Sequence, residues 1–332
     1  MPLVFSRLAV AALAASLLAA SVPARADAPQ VRTQVPGYYR MPLGDFEITA
    51  LHDGEIKLDT SLLRNATPQQ MQLLVARMFR QNPTATAVNA FLVNTGGRLV
   101  LIDTGAAQLF GPSVGRILTN LRAAGYEPSQ IDAVLLTHLH GDHVGGLLGP
   151  DGQPAFPKAT VYAPQAEADH WLNPETAAKA PEQAKRFFKM PQDATAPYIK
   201  AGAFKTFQGT AELLPGIKPV PTPGHTPGHT AYLIESRGQR LLVWGDIVHN
   251  AAVQFERPQV TIEFDTDARQ ALQTRKDLFK WTAKDALLVA GAHLPFPGLG
   301  RVRPERRGHY SWVPVDFAPW PEASPQPTAP KP

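Results

Sequence analysis

Three histidines and an aspartate fall within six residues of the stretch THLHGDHVGG, Thr137 to Gly146. The apolar run DAVLL stands directly before it and reads as a buried strand. Imidazoles and carboxylates are costly core material unless something pairs with them. Residues i and i+2 of an extended segment point the same way, so His138 and His140 can face one point while Leu139 faces the core. Gly141 lets the chain turn, and Asp142 and His143 then emerge toward a neighbouring point. A single zinc takes three or four protein ligands. Four ligands split between two directions suit two metals better than one.

The elements that must hold these residues are legible in outline. Apolar runs FEITAL from Phe46, AFLVNT from Ala90, RLVLID from Arg98 and DAVLLT from Asp132 read as strands. A helix is expected from Thr67-Pro68, with Gln70 closing a capping box. Another is expected over Asp267 to Trp281, where Ala268, Ala271, Leu272, Arg275, Leu278 and Phe279 share one face. This mixture indicates an α/β or α+β domain. One repeat stands out. AFLVNTGGRLVLID, ending at Asp103, resembles AYLIESRGQRLLVWGD, ending at Asp246. Both read as strand, Gly-containing turn, strand and aspartate, so two similar halves would each deliver an Asp into one shared crevice, near THLHGDH.

Composition narrows the chemistry. The chain has no cysteine, which excludes disulfides, thiolate ligands and a cysteine nucleophile, and leaves His and Asp as ligand types. Arg7, the apolar stretch LAVAALAASLLAASVPA and Ala24-Arg25-Ala26 form a secretory signal pattern over residues 1–26, cleaved after Ala26 rather than kept as a membrane anchor. Export to the periplasm or medium follows. The 32 basic and 28 acidic residues become 30 and 28 once Arg7 and Arg25 leave with the signal. No basic run is long enough to trace a nucleic-acid backbone. Residues 27–317 are long enough for one large domain or two small ones, and 318–332, rich in proline, read as a disordered tail.

THLHGDH resembles the H-x-H-x-D-H signature of the metallo-β-lactamase superfamily. TPGHTPGH around His225, VWGD ending at Asp246 and GAH ending at His293 follow in that family's order. APQVRT, PGYYRM, GDFEITAL, DTGAA, LFGP, ESRGQ, AAVQF and HLPFPGLG look like methyl parathion hydrolases and their lactonase and esterase relatives over nearly the whole mature chain. The resemblance implies an α+β fold, the αββα four-layer sandwich, in a single domain. It implies two divalent ions, Zn2+ foremost, with Mn2+, Co2+ or Fe2+ as alternatives. His138, His140 and His225 would hold one, Asp142, His143 and His293 the other, and Asp246 would bridge them. Asp103 and His229 would support the ligands from behind. Spacing alone does not choose His225 over His229.

Two such ions lower the pKa of a water between them and polarise the bond under attack. The expected reaction is therefore direct hydroxide attack on a carbonyl or phosphorus centre, with Asp142 or Asp246 repositioning the proton. In redox di-iron relatives a Glu replaces His140, and true β-lactamases usually lack the bridging aspartate. Thioesterases of the glyoxalase type act on a cytosolic substrate. What remains is a small, uncharged ester. Trp171, Phe187, Phe188 and Tyr198 lie in what reads as an insertion between Leu147 and Gly224. Phe110, Leu63, Ile262 and Phe264 are expected at the pocket mouth. An aromatic, weakly charged mouth fits an aryl lactone or ester and equally an aryl phosphotriester, with an acyl-homoserine lactone as a further alternative. His249 takes the place of the tyrosine that lactonases of this fold carry three residues past the bridging Asp. It is expected to donate a hydrogen bond to a carbonyl or leaving oxygen and, with the bulky apolar Leu63, Ile262 and Phe264, to favour a planar lactone or ester over a tetrahedral phosphotriester. A homodimer is expected, and a non-catalytic metal-binding protein is the outside alternative.

Overall fold

The apolar runs alternate between two cores because the strands that carry them are covered on both faces. The computed structural model describes residues 28–320. The expected signal, 1–26, lies outside the described residues, as do residues 321–332 of the proline-rich tail. Residues 28–35 carry no strand or helix, and the compact unit begins at Pro36.

In chain order the strands are β1 (Tyr38–Leu43), β2 (Phe46–Leu58), β3 (Leu63–Arg64), β4 (Thr84–Asn94), β5 (Leu99–Ile102), β6 (Ala133–Leu135), β7 (Thr160–Pro164) and β8 (Phe204–Phe207). They continue as β9 (Ile217–Pro221), β10 (Thr230–Ser236), β11 (Gln239–Val243), β12 (Thr261–Ile262), β13 (Leu288–Ala290), β14 (Leu299–Pro304) and β15 (Tyr310–Pro314). The α-helices are α1 (Pro68–Arg77), α2 (Ile117–Ala123), α3 (Gly141–Val144), α4 (Gln165–Trp171), α5 (Pro174–Lys179), α6 (Glu182–Lys200), α7 (Ala251–Gln254) and α8 (Ala268–Lys284). One sheet runs β1-β2-β4-β5-β6-β7-β8 and a second β15-β14-β13-β11-β10-β9.

Three apolar layers follow from strand alternation. Phe91, Val93, Val100, Ile102 and Leu135 meet Tyr232, Ile234, Leu241 and Val243 between the sheets. Their neighbours Leu92, Leu101 and Val134 turn the other way, onto Ile117, Leu121, Phe188 and Tyr198 of α2 and α6. Leu242 and Trp244 turn outward from the second sheet onto Leu278 and Phe279 of α8. Helix, sheet, sheet and helix thus stack as the αββα sandwich that the resemblance implied.

Local signals act as expected at both helix starts. Thr67 and Gln70 exchange both capping-box bonds at α1, and Asp267 accepts from Gln270 N–H at the start of α8. Arg275 lies on the buried face of α8 because its guanidinium donates to the carbonyls of Ile247, Pro258 and Val260. Ala268, expected on that face, is exposed. The segment from Leu147 to Gly224 is no mere insertion, since it supplies β7 and β8 to the first sheet and β9 to the second.

The two repeated hairpins are β4–β5 and β10–β11, one at the heart of each sheet. Beyond each, the next strand is parallel: β6 beside β5, and β13 beside β11. Parallel pairing brings carboxyl ends to one edge. There the chain delivers Asp103 after β5, THLHGDH after β6, Asp246 after β11 and His293 after β13. The loop between β9 and β10 adds His225.

Candidate metal centre

At that edge two groups of donors close up, each with its ligand atoms within 4.8 Å of one another. They are His138, His140, His225 and Asp246, and Asp142, His143, Asp246 and His293. Asp246 belongs to both.

The donor set fits cations on its own geometry. His138 Nε2 and His225 Nε2 lie 3.1 and 3.0 Å from the same atom, His140 Nδ1. Three imidazole nitrogens converging on one point cannot all be satisfied by ring protons. One cation that accepts all three lone pairs at about 2.0–2.1 Å can satisfy them. In the second group, His143 Nε2 and Asp246 Oδ1 stand 3.0 Å apart, both buried and neither with a hydrogen-bond partner. A buried orphan pair of this kind is costly unless an ion lies between.

Electrostatics without an ion shows the same tension. Burial opposes ionisation of Asp246, yet His143, His293, His138 and His249 around it hold its carboxyl well below the usual range. Burial also works against charge on His225 and His293, but Asp246, with Asp265 for one and Asp142 for the other, raises them to about 9 and about 10. Burial and the neighbouring imidazoles push His138 and His140 well down.

Most ligand rings are fastened from behind. His138 Nδ1 lies 3.0 Å from Thr137 Oγ1, and His225 Nδ1 lies 2.8 Å from Asp265 Oδ1. His143 Nδ1 lies 2.8 Å from Asp103 Oδ2, and His293 Nδ1 donates to Ala87 O at 2.8 Å. Such partners fix tautomer and orientation. Asp103 also accepts from the N–H and hydroxyl of Thr137, so one carboxylate serves the motif loop and His143 together. Asp103 does this at φ +60°, a left-handed conformation rare for a residue with a side chain. His229 Nε2 accepts the Asp246 N–H at 3.0 Å while its Nδ1 faces Thr222 Oγ1 at 2.7 Å, and burial lowers it to about 3.

His249 does not stand as expected. Its Nε2 lies 3.1 Å from Asp246 Oδ2, and its Nδ1 is buried without a partner. Burial lowers the ring to about 4. A neutral imidazole carries one N–H. Spending it on Asp246 leaves Nδ1 as an acceptor, so the N–H assigned to the substrate's oxygen is already engaged.

The expected mouth residues divide. Leu63 and Ile262 pair across β3 and β12 and pack with Leu74, Val75 and Val253 in a small core. Trp171 and Phe188 are buried beside Tyr198, whose hydroxyl donates to Leu147 O, and Phe187 packs half-buried on the same core. Trp171 still meets the site, edge-on to the His140 ring at 5.0 Å. Phe110 and Phe264 are exposed. Phe110 lies beside Gly141, where a Cβ would sit 3.2 Å from its ring. A cavity of about 790 Å³ is lined by His249 and His293 of the centre together with Leu74, Met78, Phe255 and Phe296, among others.

Three carboxylates or amides matter here that spacing did not reveal. Asp265 holds His225. Asn89 donates to Gly291 O and Leu294 O, bracketing His293. Glu167, fully buried, accepts from Leu139 N–H and Gly228 N–H. None forms a pattern with the ligands along the chain.

The sequence profile of the metallo-beta-lactamase superfamily matches residues 83–293. An N-acyl homoserine lactonase from a Bacillus species is 31% identical over 178 residues, 54% of this chain and 62% of that protein. A second, from Bacillus cereus, is 27% identical over the same shares. The chain therefore spans about six-tenths of the length of these curated relatives. Among solved structures, hydrolase AbOPH of the beta lactamase superfamily superposes with a TM-score of 0.83 at 41% identity, over 86% of this chain and 100% of that one. AidC, a dizinc quorum-quenching lactonase in complex with a product, N-hexanoyl-L-homoserine, superposes with a TM-score of 0.79 at 27% identity, over 85% and 99%.

Proposed function

The chain belongs to the metallo-beta-lactamase superfamily, and on that premise we propose that it is a binuclear metal-dependent lactonase acting on small, uncharged lactones. The observation that carries the hydrolytic chemistry is the sharing of Asp246 by two donor groups. Similarity to N-acyl homoserine lactonases and to AidC favours a lactone over other esters.

His138, His140 and His225 would hold one ion, and Asp142, His143 and His293 the other, with Asp246 common to both. Nitrogen-rich, thiolate-free donors suit Zn2+ best, with Mn2+, Co2+ and Fe2+ able to replace it. Two divalent ions bound there would supply an acidified water and a Lewis acid for the ester oxygen. The protein supplies the rest. Asp142, the most open of the carboxylates in the centre, can take up a proton at Oδ2, which lies 3.3 Å from His293 Nε2. His249 holds Asp246 in place and keeps a free lone pair at Nδ1. Phe110 and Phe264 offer exposed apolar surface near the ligand loops.

Burial of Trp171 and Phe188 removes much of the aromatic mouth on which an aryl substrate rested. The lactone ring is therefore the part of the substrate to which the proposal commits. Dihydrocoumarin-like lactones, acyl-homoserine lactones, open-chain aryl esters and aryl phosphotriesters assayed side by side test it. The largest kcat/KM is expected for a lactone, and a larger value for a phosphotriester or an open-chain ester would overturn the reading. Export and dimerisation belong to the same proposal. Protein recovered from its native host should begin at Asp27, and sedimentation should give twice the chain mass.

A further inference from the structure

Among the ligand rings, His140 differs in how it is held. Among the described residues, no protein group bonds its Nε2, whereas His138, His143, His225 and His293 each have a partner behind the ring. Something else must set its position.

Helix α4 meets both loops of the His138–His140–His225 group. The Glu167 side chain is wholly buried. Its Oε2 accepts from Leu139 N–H at 3.0 Å, the backbone between His138 and His140, and its Oε1 accepts from Gly228 N–H at 2.7 Å, three residues past His225. One carboxylate thus ties two ligand loops far apart in sequence. Gly228 permits the approach, since a Cβ there would lie 2.7 Å from Glu167 N. One helical turn later, on the same face, Trp171 packs edge-on to the His140 ring with centroids 5.0 Å apart.

We propose that Glu167 is a positioning residue for the ion held by His138, His140 and His225, and that α4 acts as a clamp. Glu167 sets the spacing of the two loops, and Trp171 sets the tilt of the one ring lacking a hydrogen-bonded support. Charge-assisted bonds to two backbone N–H groups in a dry site are strong and directional. Glutamine keeps the length of the side chain but offers one oxygen, and its NH2 would face the other N–H. The two bonds of Glu167 go to backbone beside His138, His140 and His225, and among the described residues none goes to Asp142, His143, Asp246 or His293, so the larger effect falls on the first ion.

This inference rests on reading the two donor groups as metal sites, and the experiment separates the two ideas. Wild type, Glu167→Gln and Glu167→Gln in His225→Ala and His293→Ala backgrounds are loaded with Co2+ and titrated with a chelator. Bound metal and the visible spectrum of each ion are followed. Glu167→Gln should weaken one of two ions by about 10–100-fold, as loss of an outer partner typically does, and leave the spectrum of the other unchanged. In the His293→Ala background, where the ion of the three-histidine group remains, the substitution should keep its full effect. In the His225→Ala background it should add nothing. Two wild-type ions with equal weakening of both in Glu167→Gln, or with no weakening, would overturn the clamp and leave the metal centre standing. Fewer than two ions in the wild type would remove the metal-centre reading and the clamp with it.

Discussion

The hairpins β4–β5 and β10–β11 end in aspartates placed alike, yet Asp103 and Asp246 do different work. The oxygens of Asp103 are committed to protein donors: Thr137 N–H, the Thr137 hydroxyl and His143 Nδ1. Asp246 has one oxygen with no hydrogen bond and the other within 3.6 Å of four histidine nitrogens. His143 stands between the two, one ring nitrogen toward each carboxylate. The difference teaches how a duplicated architecture makes one centre. One half turned its strand-end carboxylate into a brace, and the other left its carboxylate free to bind. The residue three positions on follows suit: buried Ala106 in the first half, His249 in the second.

Removing the binding carboxylate should have the largest effect. Asp246→Ala takes a ligand from both groups, so both ions should be lost at limiting metal and kcat/KM should fall by roughly 10³-fold or more. Metal analysis that still finds two equivalents would end the view that Asp246 is common to both. The brace should cost less. Asp103→Asn retains shape but loses the charge behind His143, and ion affinity in that group should drop about 10–100-fold. Asp103 reaches His138 only through Thr137, so the other ion should weaken less. Equal losses at both positions would mean that Asp103 and Asp246 do not differ as brace and ligand.

Where the first half has Ala106 the second has His249, and the contact of His249 with Asp246 predicts what its loss does. His249→Leu should lower lactone turnover by about 10–100-fold, the value of one hydrogen bond to a charged group. Because that bond supports Asp246, aryl phosphotriester hydrolysis, if measurable, should fall with it. Retained or increased phosphotriester turnover would instead restore His249 to a substrate-facing role.

Part of this centre was legible in the chain because its signals are local, while His225 and His293 were placed only by the family resemblance. The i, i+2 spacing of His138 and His140, the turn at Gly141 and the repeated strand–turn–strand–Asp pattern all act over a few residues. Asp265, Asn89 and Glu167 escaped because they are partners only in space. Glu167 is an unremarkable acid on a short helix until the fold brings Leu139 and Gly228 to it. The mouth failed for a related reason. An aromatic residue near a site is equally suited to lining it or to filling the core behind it, and Trp171 and Phe188 fill the core.

The smallest expected effect concerns how each half bends its chain beyond the strand. In the first half Asp103 itself takes φ +60°, whereas in the second Gly245 takes φ +57° and Asp246 follows it. The glycine is needed for space as well as conformation, since a Cβ at 245 would lie 2.6 Å from His229 Nε2 and 3.0 Å from Thr137 Oγ1. His229 Nε2 is the atom that accepts the Asp246 N–H, so crowding it also loosens the ligand's backbone. Gly245→Ala should therefore destabilise the fold by about 2–4 kcal/mol, from left-handed strain and overpacking together. That is several degrees in Tm for a domain this size. Activity of the folded fraction should fall only a few-fold, since no ligand is removed. A Tm equal to wild type would show that the second half tolerates a side chain at its bend, as the first half does at Asp103, and that crowding around His229 is not what separates them.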